Sequence, residues 1–442
     1  MKKLFSAVCV LCLAISMGWA SAPTGKTYKI AANPAKGFLW DYLLYIPDTI
    51  DKALTHPVLF TMNDSGIFDS MEELEQETRE RFGKGNEDYI AYHVGVPMVL
   101  PLIPREEGAM NAHDLNRAAL LMQEKNLKRL DLQVLAMLKD ARKQLKKEGI
   151  ATKRKILIAG FSSAGSFGWK LALLHPEKVL AVVAGGEAYP VLPLTDYEGE
   201  TLPYPVGVAD FKEIVERKFQ EKAWRKIPIF VFNGALDYND PLPFNDIYTD
   251  SERELIKKLF GDETLQERWE KIRGVLAQVA PNVQTHTYPK TEHRPIPEDM
   301  ILFLRTQLSG GPLRPIVPKD TSNEPDVFPL RAKGLYWGQA APVKHDREHL
   351  GDTDLLVLIK GKEYRDWVRS SCTFDIIQDG QVLVSDLRSH GVFNSGDAHF
   401  LQATVNEEDA AKLRARKKKT FQVIAKPEQI LVIPEMLTLT VR

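Results

Sequence analysis

The chain has 442 residues, 44% of them hydrophobic and 26% charged, and its 58 lysines and arginines nearly balance 59 aspartates and glutamates. That length implies about two or three domains with ordinary hydrophobic cores. A net charge of −1 argues against a nucleic-acid partner, which would demand a basic face, so none is expected.

Lys2 and Lys3 precede an apolar stretch from Leu4 to Trp19, and small residues follow, which is the form of a secretory signal peptide. Gly18 and Ala20 put small side chains at the two recognised positions, so residues 1–20 are read as the signal. The apolar run is shorter than the ~20 residues that cross a bilayer, so no membrane span is expected once it is removed. A secreted or periplasmic location follows. Cys9 and Cys12 leave with the signal, and Cys372, alone in the mature chain, cannot form an intramolecular disulfide.

Residues 28–30 and 38–46 read as an antiparallel pair of strands. The runs 57–61 and 97–101 read as buried strands with a polar helix over 71–82 between them. A long helix is expected over 125–147, where Leu127, Leu130, Val134, Leu138, Ala141 and Leu145 recur every three or four residues. A strand ending at Gly160 comes next, then a helix burying Phe167, Leu171 and Leu174, then a strand over 179–184. Strands over 227–233 and 283–288 bracket helices at 252–260 and 265–279, and a helix over 297–307 closes the unit. This alternation predicts an α/β domain, a mainly parallel sheet flanked by helices. The Pro- and Gly-rich segment 311–335 shows no periodicity and reads as a linker. Beyond it, short alternating runs, with Asp379-Gly380 as a hairpin turn, predict a small all-β, sandwich-like domain over 336–442.

The residues that could carry chemistry begin at Gly160-Phe161-Ser162-Ser163-Ala164, where the apolar strand ends and the helical pattern starts at once. A serine hydroxyl is a poor nucleophile unless it is held clear of its surroundings beside a base and near amide donors. Gly160, Ala164 and Gly165 are small enough for the sharp strand-to-helix turn that does this. Ser163 is the alternative nucleophile, but the glycine two positions before Ser162 favours Ser162.

The elbow and the order of strands together resemble the α/β-hydrolase superfamily over residues 24–310. Within it the layout is similar to secreted bacterial esterases of the polyhydroxybutyrate-depolymerase or feruloyl-esterase kind. The resemblance implies a triad in the chain order serine, acid, histidine, with the acid after a late strand and the histidine after the last one. Asp237 and His293 stand at those places. Asp240 is the alternative acid. His286 lies inside a strand pattern, and His175, before Pro176, reads as the end of a helix.

In the superfamily one oxyanion-hole amide follows the nucleophile, which here is Ser163, and the other comes from the loop after the third strand, here Ser65 or Asp64. Insertions after the sixth strand commonly form a cap, which maps to residues 187–224, and Glu187, Tyr189 and Tyr238 are candidates for lining a substrate pocket.

Two other motifs carry less. The string His345-Asp-Arg-Glu-His349 matches H-x-x-E-H, a zinc-site pattern, but its polar segment offers no apolar stripe to seat a helix and no third ligand. The basic run 412–419 reads as a solvated loop between strands.

The expectation is therefore a secreted serine hydrolase, a carboxylic-ester hydrolase that forms an acyl-enzyme on Ser162 and takes a small-molecule or polymer ester. No metal or organic cofactor is implied. The alternatives are a serine peptidase of prolyl-oligopeptidase type, or a non-catalytic protein with a relict hydrolase unit whose β domain contacts a glycan or a cell surface.

Overall fold

The computed structural model describes residues 23–63, 70–81, 87–104, 112–123, 126–237, 239–243, 247–262, 264–322, 332–340, 351–359, 373–388, 391–395, 398–426 and 436–440. The signal segment 1–20, Asp64, Ser65, Tyr238, the His345–His349 string and Cys372 lie outside them.

Eight strands build the first sheet: β1 (Gly25–Ile30), β2 (Tyr42–Pro47), β3 (Leu59–Phe60), β4 (Met98–Pro101), β5 (Ile156–Phe161), β6 (Val179–Gly185), β7 (Ile229–Gly234) and β8 (Val283–Tyr288). They lie side by side in the order β1-β2-β4-β3-β5-β6-β7-β8. Strand β2 pairs antiparallel with both β1 and β4, and every pair from β4 to β8 is parallel. Parallel strands need a covering layer on each face, and the apolar residues alternate accordingly. Ile156, Ile158, Val182, Ile229 and Val231 point into one core, whereas Leu157, Ala159, Val183, Phe230 and Phe232 point into the other.

Helices α1 (Met71–Arg81) and α2 (Glu87–Val94) precede β4, and α3 (Leu130–Lys147) precedes β5. Helix α4 (Ser163–Leu174) follows β5, α5 (Asp250–Phe260) and α6 (Leu265–Val279) separate β7 from β8, and α7 (Pro297–Gln307) follows β8. The first core takes Val134, Leu138, Ala141 and Leu145 from α3, Phe167 and Leu171 from α4, and Trp269 and Ile272 from α6. The second takes Ile90 and Val94 from α2 and Met300, Phe303 and Leu304 from α7. The long helix starts at Leu130 rather than near residue 125, because Arg129 at its N-cap is left-handed, with φ 49°. Helix α2 was not expected: only Ile90, Ala91 and Val94 of it are buried in the core, with Tyr89 packed against it, too few to mark a period in sequence.

Past α7 the chain doubles back over the second face. Ile316 enters that core, Gln284 Nε2 donates to the Ile316 carbonyl at 2.8 Å, and the Lys319 amide donates to Asp299 Oδ2 at 2.7 Å. Thr291 Oγ1 donates to Thr321 Oγ1 at 3.1 Å, and Thr321 donates in turn to the Pro289 carbonyl.

Among the described residues the C-terminal part is mostly β, with one 3-10 turn (Gly338–Ala340) and one helix. Strands β9 (Ala332–Trp337), β10 (Asp354–Ile359), β11 (Thr373–Gln378), β12 (Gln381–Arg388), β13 (Gly391–Ser395), β14 (Ala398–Thr404), β15 (Thr420–Lys426) and β16 (Met436–Thr440) form one hydrogen-bonded series, β12-β11-β15-β16-β9-β10-β14-β13. All its pairs are antiparallel except β9 with β16. Strands from both halves of the series meet in one core, where Leu335, Val357, Ile376, Phe421 and Leu439 pack together. Helix α8 (Glu407–Ala415) closes that core with Ala410 and Leu413. The start of the basic run is thus helical rather than loop: Lys412 pairs with Glu408 and Asp409 one turn before it.

Candidate active site

Ser162 sits where β5 turns into α4, with φ 57° and ψ −131°. A non-glycine residue held at positive φ stores about 1–3 kcal/mol of strain and persists only where its surroundings over-determine it. Those surroundings are visible. The Ser162 amide donates to the Gly185 carbonyl at 2.8 Å, and the Ser166 amide closes the first helical turn on the Ser162 carbonyl at 3.0 Å. A Cβ on Gly160 would lie 2.2 Å from the Ala164 carbonyl oxygen, and one on Gly165 would lie 2.8 Å from that of Gly185. Both contacts are closer than atoms allow, so these two positions must be glycine for the turn to close.

The acid and histidine loops are stitched to each other at the adjacent strand ends. The Ala235 amide donates to the Tyr288 carbonyl and the Leu236 amide to the Thr291 carbonyl, each at 2.9 Å. Gly234 permits this, since a Cβ there would lie 2.0 Å from the Thr291 oxygen. The result joins two of the sequence-predicted residues: His293 Nδ1 hydrogen-bonds Asp237 Oδ2 at 2.8 Å, both side chains being buried. The imidazole packs beside the elbow, its ring centroid 4.6 Å from that of Phe161. A Cβ on Gly186 would come within 3.1 Å of His293 Cε1. Ser162, Asp237 and His293 therefore all lie at the carboxyl ends of their strands, on one rim of the sheet.

A carboxylate only accepts, so Nδ1 carries the ring proton and Nε2 of the neutral imidazole is left with its lone pair. That is the tautomer a general base needs. The lone pair is engaged by Asn239, whose Nδ2 lies 3.0 Å from Nε2. Among the described residues no hydrogen bond joins Ser162 to His293. Asn239 is the residue that reading the sequence missed; its only signal is its place two positions past the acid.

Ser163, expected as an oxyanion donor, is the first residue of α4, where an amide has no acceptor within its own helix. The second expected donor, Ser65 or Asp64, lies outside the described residues, as does Tyr238. Asn63 ties the start of that loop to the end of β4, its Nδ2 donating to the Ile103 carbonyl at 3.0 Å and its Oδ1 accepting from the Ile103 amide at 3.2 Å.

The two remaining pocket candidates are buried in charged clusters. Glu187 joins Asp114, Ser166 and Lys170 immediately behind the elbow. Lys170 Nζ donates to Asp114 Oδ2 at 2.6 Å and to Ser166 Oγ at 2.9 Å, and Ser166 Oγ donates to Asp114 Oδ1 at 2.7 Å. Burial pushes the Glu187 carboxyl up to about 7, against the pull of Lys170 and with the Asp114 charge adding to the rise. Tyr189 donates to Asp240 Oδ1 at 2.6 Å and accepts from Arg268 Nε at 2.8 Å. Asp240, the alternative acid, is bound by that tyrosine, by Arg268 and by the Leu242 amide rather than by a histidine.

His286 and His175 are placed apart from the dyad. His286 lies within β8 against the Tyr288 ring, 4.4 Å between centroids. His175 caps α4 and hydrogen-bonds the fully buried Asp131 at 2.8 Å, while Arg129 holds the same carboxylate with two bonds and Arg217 reaches His175 Nδ1 at 3.1 Å. No group of three or more metal-ligating side chains occurs among the described residues. A cleft of about 510 Å³ opens at the other end of the sheet, between His56, Val96, Lys153 and Arg305 at the amino ends of the strands. The dyad differs from that cleft in holding a buried carboxylate–imidazole bond on the same rim as a serine at positive φ.

The strand order, the elbow after β5 and the succession serine, aspartate, histidine at the ends of β5, β7 and β8 are those of the α/β-hydrolase fold. No family model and no curated protein matches the chain. Among solved structures it is similar to poly(aspartic acid) hydrolase-1 from Sphingomonas sp. KT-1, at 14% identity and a TM-score of 0.43 over 65% of this chain and 99% of that one. It is also similar to LpqC, a poly(3-hydroxybutyrate) depolymerase from Bordetella parapertussis, at 13% identity and a TM-score of 0.39 over 65% of this chain and 88% of that one. An S-formylglutathione hydrolase from Agrobacterium tumefaciens matches at 13% identity and a TM-score of 0.36, over 67% and 96% of the two chains. Likenesses this distant assign no substrate.

Proposed function

We propose that the chain is a serine hydrolase in which Ser162 attacks an ester carbonyl and is transiently acylated. The observation that carries this reading is the buried 2.8 Å bond between Asp237 and His293 on the same rim of the sheet as a serine held at φ 57°. His293 Nε2 takes the Ser162 proton as the C–O bond forms, then gives it to the departing alkoxide. Asp237 fixes the tautomer and stabilises the transient imidazolium. The Ser163 amide, first in α4, donates to the oxyanion, a contact worth about 3–4 kcal/mol in such sites. Water, deprotonated by the same imidazole, then cleaves the acyl-enzyme and returns the serine. An ester is the substrate class of choice because an alkoxide leaves with less assistance than an amide nitrogen.

Labelling the mature protein with a fluorophosphonate tests the nucleophile. Wild type should label and Ser162→Ala should not; equal labelling removes Ser162 from the mechanism. A panel of nitrophenyl esters set against aminoacyl amides then separates esterase from peptidase. The basic, apolar and small-residue succession at residues 1–20 supports export, which fractionation of the producing cells would check.

A further inference from the structure

We propose that Asn239 caps the general base in the resting enzyme and must withdraw before Ser162 can be deprotonated. The inference rests on the serine-hydrolase reading above and concerns how that site is regulated.

The argument is one of counting lone pairs. With Nδ1–H committed to Asp237, His293 Nε2 offers a single lone pair in the plane of the ring. The amide of Asn239 faces that atom at 3.0 Å, and only its NH₂ end can meet a lone pair favourably, so the orientation follows from the network. Nε2 cannot accept well from Asn239 and from the Ser162 hydroxyl at once. The bond present is the one to Asn239.

The surroundings show why the cap is stable and how it can release. The Asn239 amide donates to Asp237 Oδ1 at 2.9 Å, so one carboxylate holds both the histidine and the backbone of its cap. Release therefore requires a side-chain rotation of Asn239, with that backbone bond left in place. Among the described residues Asp237 is the charged group hydrogen-bonded to the imidazole; the Phe161 ring packs against it and Gly186 approaches its Cε1. Asp240, on the same loop, is bound by Arg268 and Tyr189. A donor to Nε2 also stabilises the neutral ring over the imidazolium. Asn239 is thus a positioning residue with two separable effects, holding the base proton-free and competing with the nucleophile for it.

The test is the rate of fluorophosphonate labelling as a function of pH, for wild type, Asn239→Ala and Asn239→Asp, each with a Ser162→Ala control. Removing a competing hydrogen bond of ordinary strength should raise the plateau rate of Asn239→Ala about two- to tenfold. Its acid limb should move to higher pH, because the neutral ring has lost a donor. Asn239→Asp keeps a side chain that favours this turn but places an acceptor against Nε2, so its acid limb should move further and its rate at neutral pH should fall. Ser162-dependent labelling in which Asn239→Ala is no faster than wild type at the plateau overturns the cap alone. If Asn239→Ala does not fold, an unmoved acid limb in Asn239→Asp overturns it instead. Labelling that survives Ser162→Ala overturns the hydrolase reading and the cap with it.

Discussion

Asp237 and His293 stand 56 residues apart in sequence, yet each is buried against the other with 2.8 Å between Oδ2 and Nδ1. Exchanging the carboxylate for an amide keeps the shape and loses the constraint. Asp237→Asn should fold normally but lower kcat by about 10⁴-fold, since the ring is then free to take the wrong tautomer. Steady-state rates on the best nitrophenyl ester, with a melting temperature alongside, check this. A loss of tenfold or less would mean that Asp237 does not orient the base.

Gly160 has no room for a side chain. Gly160→Ala should destabilise the protein by about 1–3 kcal/mol through overpacking and should slow labelling of Ser162 as the elbow is pushed open. Urea denaturation followed by tryptophan fluorescence would show the first effect. An unchanged midpoint would mean that the turn is looser than its geometry implies.

Glu187 should make stability depend on pH in the opposite sense from an ordinary paired carboxylate. Its folded value, raised by burial from 4.5 to about 7, lies above the unfolded one, so its contribution is fully present below about pH 4.5 and is lost as the pH rises through 7. The loss is on the order of 3 kcal/mol. Glu187→Gln, which stays neutral, should lack this decline; parallel urea midpoints from pH 4 to 8.5 would decide. Superimposable profiles would show that Glu187 ionises freely in the folded protein.

Asp131 gives the reverse sign. Burial alone would raise it, but hydrogen bonds from Arg129 and His175 outweigh that and hold the carboxyl down from 3.8 to about 2. Its contribution is present above about pH 3.8 and disappears as the pH falls towards 2. Asp131→Asn should therefore be less stable than wild type at pH 7, and the gap should close by roughly 2 kcal/mol on acidification. A gap that stays constant down to pH 2 would contradict the assignment.

What could be read in advance divides along physical lines. The strands and most helices of the first unit were legible because burying one stripe or one face leaves a period in the sequence, as in α3. The meeting of Asp237 with His293 was legible from the chain order that the resemblance implies, because a strand end fixes where a following residue goes. Glu187 and Tyr189 were located but their settings were not, because these depend on Lys170, Asp114, Asp240 and Arg268, which only the fold brings near. One sign was available: Lys170 is the single charged residue in a helix that otherwise reads Ser163-Ala-Gly-Ser-Phe-Gly-Trp before it and Leu171-Ala-Leu-Leu174 after it. Helix α8 left almost no trace, since only Ala410 and Leu413 of its nine residues are buried.

The return of the chain over its own second face ties two distant properties together. Thr321 is fully buried and bonds to Thr291, two positions before the imidazole, and to Pro289 at the head of the same loop. A recombinant fragment stopped after α7 would strip those partners away and unsettle the base while leaving every strand of the first sheet intact. Pulling on the chain past Thr321 would load these same contacts, two positions from the imidazole, before it reached the Gln284–Ile316 bond to strand β8.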